Sequence, residues 1–228
     1  MRVYEIAHLT PNGDIEEATR LAPAIDLFES CFAALGRGAL LTTDRGPRPV
    51  EDLWPGDRVM TTSHGMQPIV WRGRTQMLPG SDPARSSVTS LVRLTQDALG
   101  FRKPSTDLLL GPAARLAHRG SLCRQITGDD TVFVPILDFL DHDTVIEVHP
   151  VSPVDVFQLG FDAHARLAVG GGIEIETLHP GLPHLLRHRK DVLTALLALF
   201  PHVARLDQFG PLLHPRRPLK DLSLELDF

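Results

Sequence analysis

Short runs of alternating apolar and polar residues, separated by turn-forming residues, fill the chain from Ala39 to Glu176. Short runs that are bounded by glycine, proline, asparagine or aspartate are typical of β-strands joined by turns. The pattern predicts strands at Ala39–Thr43, Arg58–Thr62, Pro68–Arg72, Val92–Leu94, Leu108–Leu110, Val132–Val134, Thr144–His149, Val154–Leu159, Ala165–Val169 and Ile173–Glu176. We therefore expect a core made of β-strands.

The two ends of the chain follow other patterns. Residues 1–30 alternate weakly around the turn signal Pro11-Asn12-Gly13-Asp14, and we interpret them as a leader with a strand, Arg2–Ile6, and a helical piece around residues 22–32. After His179-Pro-Gly181 the apolar residues repeat at helical spacing, which predicts a helix with one face towards a core. The residues of this stripe are Val192, Leu193, Leu196, Leu197 and Phe200.

The tail from Pro211 onward is rich in proline and charge, and we expect it to lie extended on the surface. The changes of pattern divide the chain into three regions. They are a leader at residues 1–30, a β domain at residues 31–180, and a C-terminal helix and tail at residues 181–228.

Composition limits the classes of function. With 43% apolar and 22% charged residues among 228, the chain has the make-up of a globular protein with one good core. A net charge of -5 without a basic stripe argues against binding of nucleic acid. The apolar stretches fall short of the ~20 residues that span a bilayer, so we expect no membrane association. A cytoplasmic location is expected, and secretion without a signal peptide stays open as an alternative.

Three blocks of sequence carry most of the information. The first is Arg48-Pro-Val-Glu-Asp-Leu-Trp-Pro-Gly-Asp-Arg-Val-Met-Thr61 with the following Gln67-Pro-Ile-Val-Trp-Arg-Gly73. The second is Asp107-Leu-Leu-Leu-Gly-Pro-Ala-Ala-Arg-Leu-Ala-His-Arg119. The third runs from Val156 to Thr177, with the turn Gly170-Gly-Gly172 between two predicted strands.

Taken together and in this order, the blocks resemble the Hint domain, the fold shared by inteins and the autoprocessing part of Hedgehog proteins, and in particular a bacterial Hint-domain subgroup. The resemblance covers roughly Cys31 to His179. It implies an all-β core with an antiparallel, pseudo-two-fold β fold, here followed by a C-terminal helical appendage. It also implies self-cleavage by an N-to-S acyl shift, in which a cysteine attacks the preceding carbonyl and a histidine protonates the leaving nitrogen.

The nucleophile position of that family is irregular in this chain. Cys31-Phe32 is similar to the family's Cys-Phe start, but Gly38-Ala39 follows three residues later than the family's Gly-Thr pair. Aligned without a gap, the nucleophile position falls on Ala34. Either the loop after Cys31 has grown and Cys31 is the nucleophile, or Cys31 is a packing residue on the same face as Phe28.

The proton-moving positions also depart from the family. The histidine of the second block maps onto Ala114, and His118 lies four residues later, as a catalytic candidate or a strand-end histidine. His164 holds the position that resembles the family's Asp-x-His and is either a site residue or structural. Where inteins end in His-Asn, this chain has Glu176-Thr177, and threonine cannot cyclise to a succinimide.

Other chemistry is weakly indicated. His179, His184 and His188 could pair as metal ligands on a helix, but a solvated helix start explains them better, and we predict no metal and no cofactor. The acidic cluster around Asp141 is interpreted as a turn. Both tryptophans, Trp54 and Trp71, are expected in or near the core, each with a partner for its indole N–H.

The residues leave three hypotheses. The first, which we favour, is a Hint domain that has lost catalysis and acts as a binding or interaction module for a protein partner that the sequence does not identify. The second is an autoprocessing protein that cleaves its own Ser30–Cys31 bond through a thioester, with Cys31, His164 and His118 as candidate catalytic residues. The third is an unrelated all-β protein.

Overall fold

The computed structural model describes residues 1–80, 84, 86–181 and 190–222. Sixteen strands form two antiparallel sheets in this part of the chain. The strands are β1 Arg2–Leu9, β2 Ile15–Ala22, β3 Leu35–Gly36, β4 Leu40–Thr43, β5 Gly46–Pro49, β6 Arg58–Thr61, β7 Gly65–Pro68, β8 Trp71–Met77, β9 Leu91–Leu94, β10 Leu108–Leu110, β11 Arg115–Arg119, β12 Thr131–Pro135, β13 Val145–Val148, β14 Val154–Gly160, β15 Arg166–Val169 and β16 Ile173–Glu176.

The helices within the described residues are short. The α-helices are α1 Asp26–Glu29, α2 Ser121–Thr127 and α3 Lys190–Leu197, and 3-10 turns lie at Val50–Asp52, Ile136–Phe139, Leu206–Phe209 and Leu219–Leu222. Within the described ranges, no helix has the length and apolar character needed to cross a bilayer. The expected all-β core is therefore confirmed, and its helices are small.

The first sheet has the strand order β13-β9-β10-β3-β14-β8-β1-β2. The second has the order β12-β11-β16-β15-β4-β6-β7, with β5 paired to β4. The hairpin β1–β2 extends the first sheet, because β1 pairs with β8 along Tyr4 to His8. Strand β12 lies at one edge of the second sheet.

The two largest of four apolar clusters in the described residues hold the sheets and the C-terminal helix. The larger cluster is contributed by both sheets and includes Ala34 and Ala114. The other packs α3 and the residues after it onto the first sheet, around Trp71, which is fully buried. The indole N–H of Trp71 donates a hydrogen bond to the carbonyl oxygen of Leu199, at 2.9 Å.

Most predicted strands are confirmed to within a residue or two, but some predictions are wrong. The predicted strand Pro68–Arg72 spans a break, because β7 ends at Pro68 and β8 begins at Trp71. Strand β2 was not predicted, since its face is almost wholly exposed and it forms by pairing with β1 instead of by burying a stripe. Helix α2 and strand β5 also lacked a readable pattern.

The leader and the helix also differ in part from expectation. The helical piece around residues 22–32 shrinks to α1, and β1 is longer than predicted. Leu196 and Phe200 of the predicted stripe are fully buried, although Phe200 lies beyond the end of α3. Trp71 is in the core as expected, whereas Trp54 is 38% exposed and lies against the guanidinium of Arg72.

Candidate functional site

The peptide bond between Ala33 and Ala34 is gripped by the second sequence block. The Ala113 N–H donates to the Ala33 carbonyl oxygen at 3.0 Å, and the Gly111 N–H donates to the Ala34 carbonyl oxygen at 2.9 Å. The Ala34 N–H donates to the carbonyl oxygen of Phe157 on β14, at 3.1 Å. Both carbonyl oxygens and the Ala34 N–H of these two alanines thus have main-chain partners.

Glycine at position 111 allows this close approach. A Cβ atom there would lie 2.1 Å from the Ala33 carbonyl oxygen and 2.5 Å from its carbon, so a larger residue would displace the backbone. Ala34 and Ala114 are each 1% exposed and belong to one apolar cluster. We call the group of Ala33, Ala34, Gly111, Ala113 and Ala114 the Ala33–Ala34 centre.

The side chains of the Ala33–Ala34 centre carry no nitrogen, oxygen or sulfur. The Ala113 N–H is placed to polarise the Ala33 carbonyl, as a donor to a reacting carbonyl would be. However, the two positions to which the resemblance assigns the nucleophile and the general acid, Ala34 and Ala114, hold methyl groups. The centre can bind a carbonyl oxygen but has no group of its own that can attack it or move a proton.

Cys31 lies in the other apolar cluster, with Phe28, Phe32 and Trp71. It is 3% exposed, and its Sγ donates to the Leu27 carbonyl oxygen at 3.5 Å. Burial raises the pKa of the Cys31 thiol to about 12, although the positive charges of two arginines oppose the rise. A thiol in this state holds almost no thiolate at neutral pH, and the thiolate is the nucleophile.

His164 lies between β14 and β15 and belongs to a cluster of polar side chains. Its own side chain is 1% exposed. Its Nδ1 accepts the main-chain N–H of Leu213 at 2.9 Å, so the ring proton is assigned to Nε2. That Nε2 is 3.2 Å from a carboxylate oxygen of Glu176, a close contact in which the N–H is not aligned as in a good hydrogen bond.

Glu176 is a buried carboxylate at the end of β16. The Arg216 Nε contacts its two oxygens at 2.8 and 3.0 Å, and an Arg115 guanidinium nitrogen lies at 3.5 Å. Burial opposes ionisation, but His164, Arg216 and Arg115 together outweigh it and lower the pKa of Glu176. We call the group of His164, Glu176, His179, Arg115 and Arg216 the His164–Glu176 centre.

His179 completes the His164–Glu176 centre, and its ring centroid is 4.9 Å from that of His164. Its Nδ1 accepts the Gly181 N–H at 3.1 Å, and its Nε2 donates to the Gly210 carbonyl oxygen at 3.1 Å. Burial lowers the pKa of His179 to about 4, so the ring is neutral at physiological pH. Each of the two histidines of this centre therefore forms a hydrogen bond through one ring nitrogen with the segment after residue 209.

That segment is the C-terminal tail, and it is docked to the β domain. Phe133 on β12 forms a parallel bridge with Arg216: the Phe133 N–H donates to the Pro215 carbonyl at 2.8 Å, and the Arg217 N–H donates to the Phe133 carbonyl at 3.0 Å. His214 contacts the Asp129 carboxylate at 2.8 Å. The described part of the tail is exposed or partly buried, as expected of a surface segment, apart from Leu222. The sequence did not indicate that it supplies a guanidinium to a buried carboxylate.

His118, the third candidate, lies near the end of β11. Its ring neighbour and the cavity that it lines include no member of either centre. Its ring lies 6.2 Å from that of Phe139 and lines a cavity of about 430 Å³ with Lys103, Arg119 and Glu174. Among the described residues, no hydrogen bond or ion pair joins Cys31, His118 and His164 to one another. The structure therefore does not assemble these three predicted residues into one constellation.

Metal-binding geometry is not evident in the described ranges, which hold no cluster of three or more histidine, cysteine, aspartate or glutamate side chains suited to an ion. His184 and His188 lie outside the described residues. The Asp141 carboxylate accepts the Thr144 hydroxyl and the N–H groups of Asp143, Thr144 and Val145, which lowers its pKa and confirms the predicted turn.

Sequence reasoning missed Arg115 and Arg216 as members of a site. The signal for Arg115 was present, because it follows Ala114 directly in the second block. Arg216 carried no such signal, since it belongs to a tail whose proline and charge content indicated only exposure. Only the fold places Arg216 next to Glu176, 40 residues earlier in the chain.

Comparison with known proteins identifies the family of the chain. Among solved structures, a splice-inactive variant of the AceL NrdHF class 3 split intein is 10% identical, with a TM-score of 0.43, over 64% of this chain and 98% of that one. The bacterial intein-like domain from Clostridium thermocellum is 13% identical, with a TM-score of 0.41, over 64% and 98%. A comparison with curated proteins returned no match. The Hint domain model matches residues 30–182, more than half of the chain, which therefore belongs to the Hint domain family.

Proposed function

We propose that this chain is a catalytically silent Hint domain that acts as a binding or interaction module. The observation that carries the proposal is the Ala33–Ala34 centre, in which a main-chain grip on a peptide bond survives without a nucleophile or a proton donor. A bacterial origin and a cytoplasmic location belong to the proposal and rest on the sequence alone.

Both steps of the acyl shift lack their side chain at this centre. Ala34 has no atom that can attack the Ala33 carbonyl, and Ala114 cannot protonate a leaving nitrogen. Loss of a positioned general acid alone typically slows a reaction by about 10²–10⁴. Loss of the nucleophile removes the covalent route altogether.

Cys31 is poorly placed to replace Ala34. The hydrogen bonds of the second block go to Ala33 and Ala34, whereas the N–H groups of Ser30 and Cys31 donate within the turn of α1, to Asp26 and Phe28. The Ser30–Cys31 bond therefore has the setting of a helix end. Together with the raised pKa of the thiol, this setting favours a packing role for Cys31.

The last step of splicing also lacks its reagent. Thr177 occupies the position where inteins carry the asparagine that cyclises. Its hydroxyl accepts the Ala165 N–H at 2.9 Å and donates to the Ala165 carbonyl at 3.1 Å. The residue thus ties β15 to the end of β16 and has no amide with which to form a succinimide.

Intact mass spectrometry of the purified chain tests the proposal. After long incubation with dithiothreitol or hydroxylamine we expect a single species near 25.1 kDa, with the Cys31→Ala variant as a matched control. Fragments that end at Ser30 and begin at Cys31, formed faster with either reagent and lost in the Cys31→Ala variant, would establish the autoprocessing alternative instead.

A further inference from the structure

The edge of β12 is already used for main-chain pairing. The tail lies along it in parallel, and the two hydrogen bonds at Phe133 involve only backbone atoms of the tail. Pairing of an extended segment with a sheet edge supplies affinity without demanding a sequence, and specificity then comes from pockets for alternate side chains. The β12 edge supplies this main-chain pairing.

The pockets for alternate side chains are present as well. His214 and Arg216 are two residues apart on an extended segment and so point to the same face. His214 meets Asp129 at 2.8 Å, and Arg216 meets Glu176. The next residue, Arg217, points away and is exposed. The groove therefore distinguishes two chemically identical arginines by position.

Arginine suits this groove better than any other side chain because of Glu176. A buried carboxylate needs a cation and hydrogen-bond donors, and Arg216 supplies both at 2.8–3.0 Å while Arg115 remains at 3.5 Å. Arg216 also donates to the His179 carbonyl oxygen at 2.8 Å. A planar guanidinium serves both acceptors from a fixed fork of N–H donors, whereas a lysine ammonium is a compact point charge without that fork geometry.

The occupant and the groove belong to different parts of the chain. Phe133, His164 and Glu176 lie inside the matched range of residues 30–182, whereas the tail from Gly210 to Leu222 lies outside it. A segment tethered to the same chain competes with any other ligand at an effective concentration in the millimolar range. The docked tail thus acts on this groove as a built-in competitor.

We infer that the groove formed by the β12 edge, Asp129, His164, His179 and Glu176 is the binding site of this module. Its partner is an extended peptide segment of another protein that places an arginine on Glu176, and the chain's own tail occupies the site until that segment displaces it. This inference rests on the proposed function, since a self-cleaving domain would need the same centre for chemistry.

Peptide binding to variants of the full chain tests the inference. The probe is a fluorescently labelled synthetic peptide with the sequence from Gly210 to Leu222, and its matched form carries Gln in place of Arg216. The protein variant Arg216→Gln loosens the internal tail, and Arg217→Gln, which alters the exposed neighbour, is the control. Binding is measured by fluorescence anisotropy, with folding checked by circular dichroism.

We expect the native chain and Arg217→Gln to bind the probe weakly, because the tail fills the groove. Arg216→Gln should bind it at least about tenfold more tightly, since a competitor of high effective concentration has been weakened. The peptide lacking the arginine should show no such gain. Equal binding of both peptides, or no gain with Arg216→Gln, overturns the inference.

A second variant guards against misfolding of Arg216→Gln. Leu213→Pro removes the N–H that donates to His164 and leaves no buried charge without a partner. A folded Leu213→Pro chain that gains no affinity for the probe also overturns the inference. Concentration-dependent dimers of the native chain, formed by exchange of tails, would assign the groove to a second copy and contradict the proposed partner.

The two proposals fail in different measurements. Intact mass of each binding sample shows whether the chain has cut itself, whatever the peptide does. A chain that stays whole but binds no peptide contradicts the groove alone. A chain that releases fragments contradicts catalytic silence and leaves no ground for the groove as a module's binding site.

Discussion

The Ala33–Ala34 centre and the His164–Glu176 centre differ in what holds them. The first is held by main-chain hydrogen bonds and by the close packing of Gly111, and its side chains are inert. The second is held by side-chain charges, and its main partner is the docked tail. Main-chain geometry and ionisable side chains are therefore separated in this molecule: one centre holds a peptide bond by backbone contacts, and the other holds a set of charged and titratable groups.

Energetics account for this difference. A methyl group at position 34 or 114 fits an apolar cluster and leaves no polar atom unsatisfied, so alanine at these positions costs little stability. A buried charge such as that of Glu176 differs, because removing one partner leaves the remaining charges buried and uncompensated, which lowers stability. A substitution in the ionic centre is thus expected to lower the free energy of unfolding more than one in the apolar centre.

The largest expected effect is that of Glu176→Gln. Arg115 and Arg216 would then face each other without a carboxylate, and breaking a buried ion pair in this way costs about 3–5 kcal/mol. Chemical denaturation should show that loss in the free energy of unfolding. The matched control is Glu174→Gln on the same strand, whose more exposed pairs with Arg119 and Arg166 should contribute about 1 kcal/mol or less.

Gly111→Ala should come next in size. The added Cβ would meet the Ala33 carbonyl, so we expect a loss of about 3 kcal/mol, at the upper end of the range for overpacked cores. Gly120→Ala is the control, since a Cβ there meets nothing within 4 Å. Equal thermal stability of the two variants would mean that the grip on the Ala33–Ala34 bond is loose.

The pH dependence of stability is set in part by two buried histidines. Burial lowers the pKa values of His179 and His202 to about 4 from an ordinary 6.5. A lowered folded-state pKa means that the unfolded chain binds the proton first. The stability from each histidine is therefore complete above pH 6.5 and is lost as the pH falls towards 4.

His202→Phe separates the two contributions. His202 packs against Trp71, Phe200 and Phe209 with a buried Nδ1 that has no partner, so phenylalanine should be tolerated. Between pH 7.5 and 5 the variant should lose about 2 kcal/mol less than the native chain, as one depressed histidine contributes roughly 1.4 kcal/mol per pH unit. An equal loss of unfolding free energy between pH 7.5 and 5 in the variant and in the native chain would contradict this prediction.

The smallest expected effect is chemical. Ala34→Cys places a thiol beside the hydrogen-bonded Ala33 carbonyl, and mass spectrometry should then detect slow, hydroxylamine-dependent cleavage between residues 33 and 34. The rate should remain lower than that of an active centre by about 10²–10⁴, because Ala114 still supplies no proton. If Ala34→Cys stays whole with hydroxylamine, the backbone of this centre has lost its reactive geometry too.

The sequence predicts the fold better than it predicts the sites. Ile173–Glu176 and Leu108–Leu110 are recovered at their true bounds, since alternation or apolar runs report burial directly. The edge strand β2 carries no such signal, because pairing with β1 and not burial makes it a strand. Ala34 and Ala114 were named as positions of interest, but the contact of Ala34 with Gly111 depends on tertiary structure. The docking of Arg216 on Glu176 depends on it as well.

The hydrogen bond from Trp71 to Leu199 gives the molecule an optical reporter. Trp71 is shielded from water, and its ring centroid lies 6.2 Å from that of His202, so its emission should be blue-shifted and should respond to detachment of the C-terminal helix or protonation of that imidazole. Trp54 is 38% exposed and should supply a more red-shifted background. Steady-state fluorescence of the unlabelled chain can therefore follow this one packing event in real time.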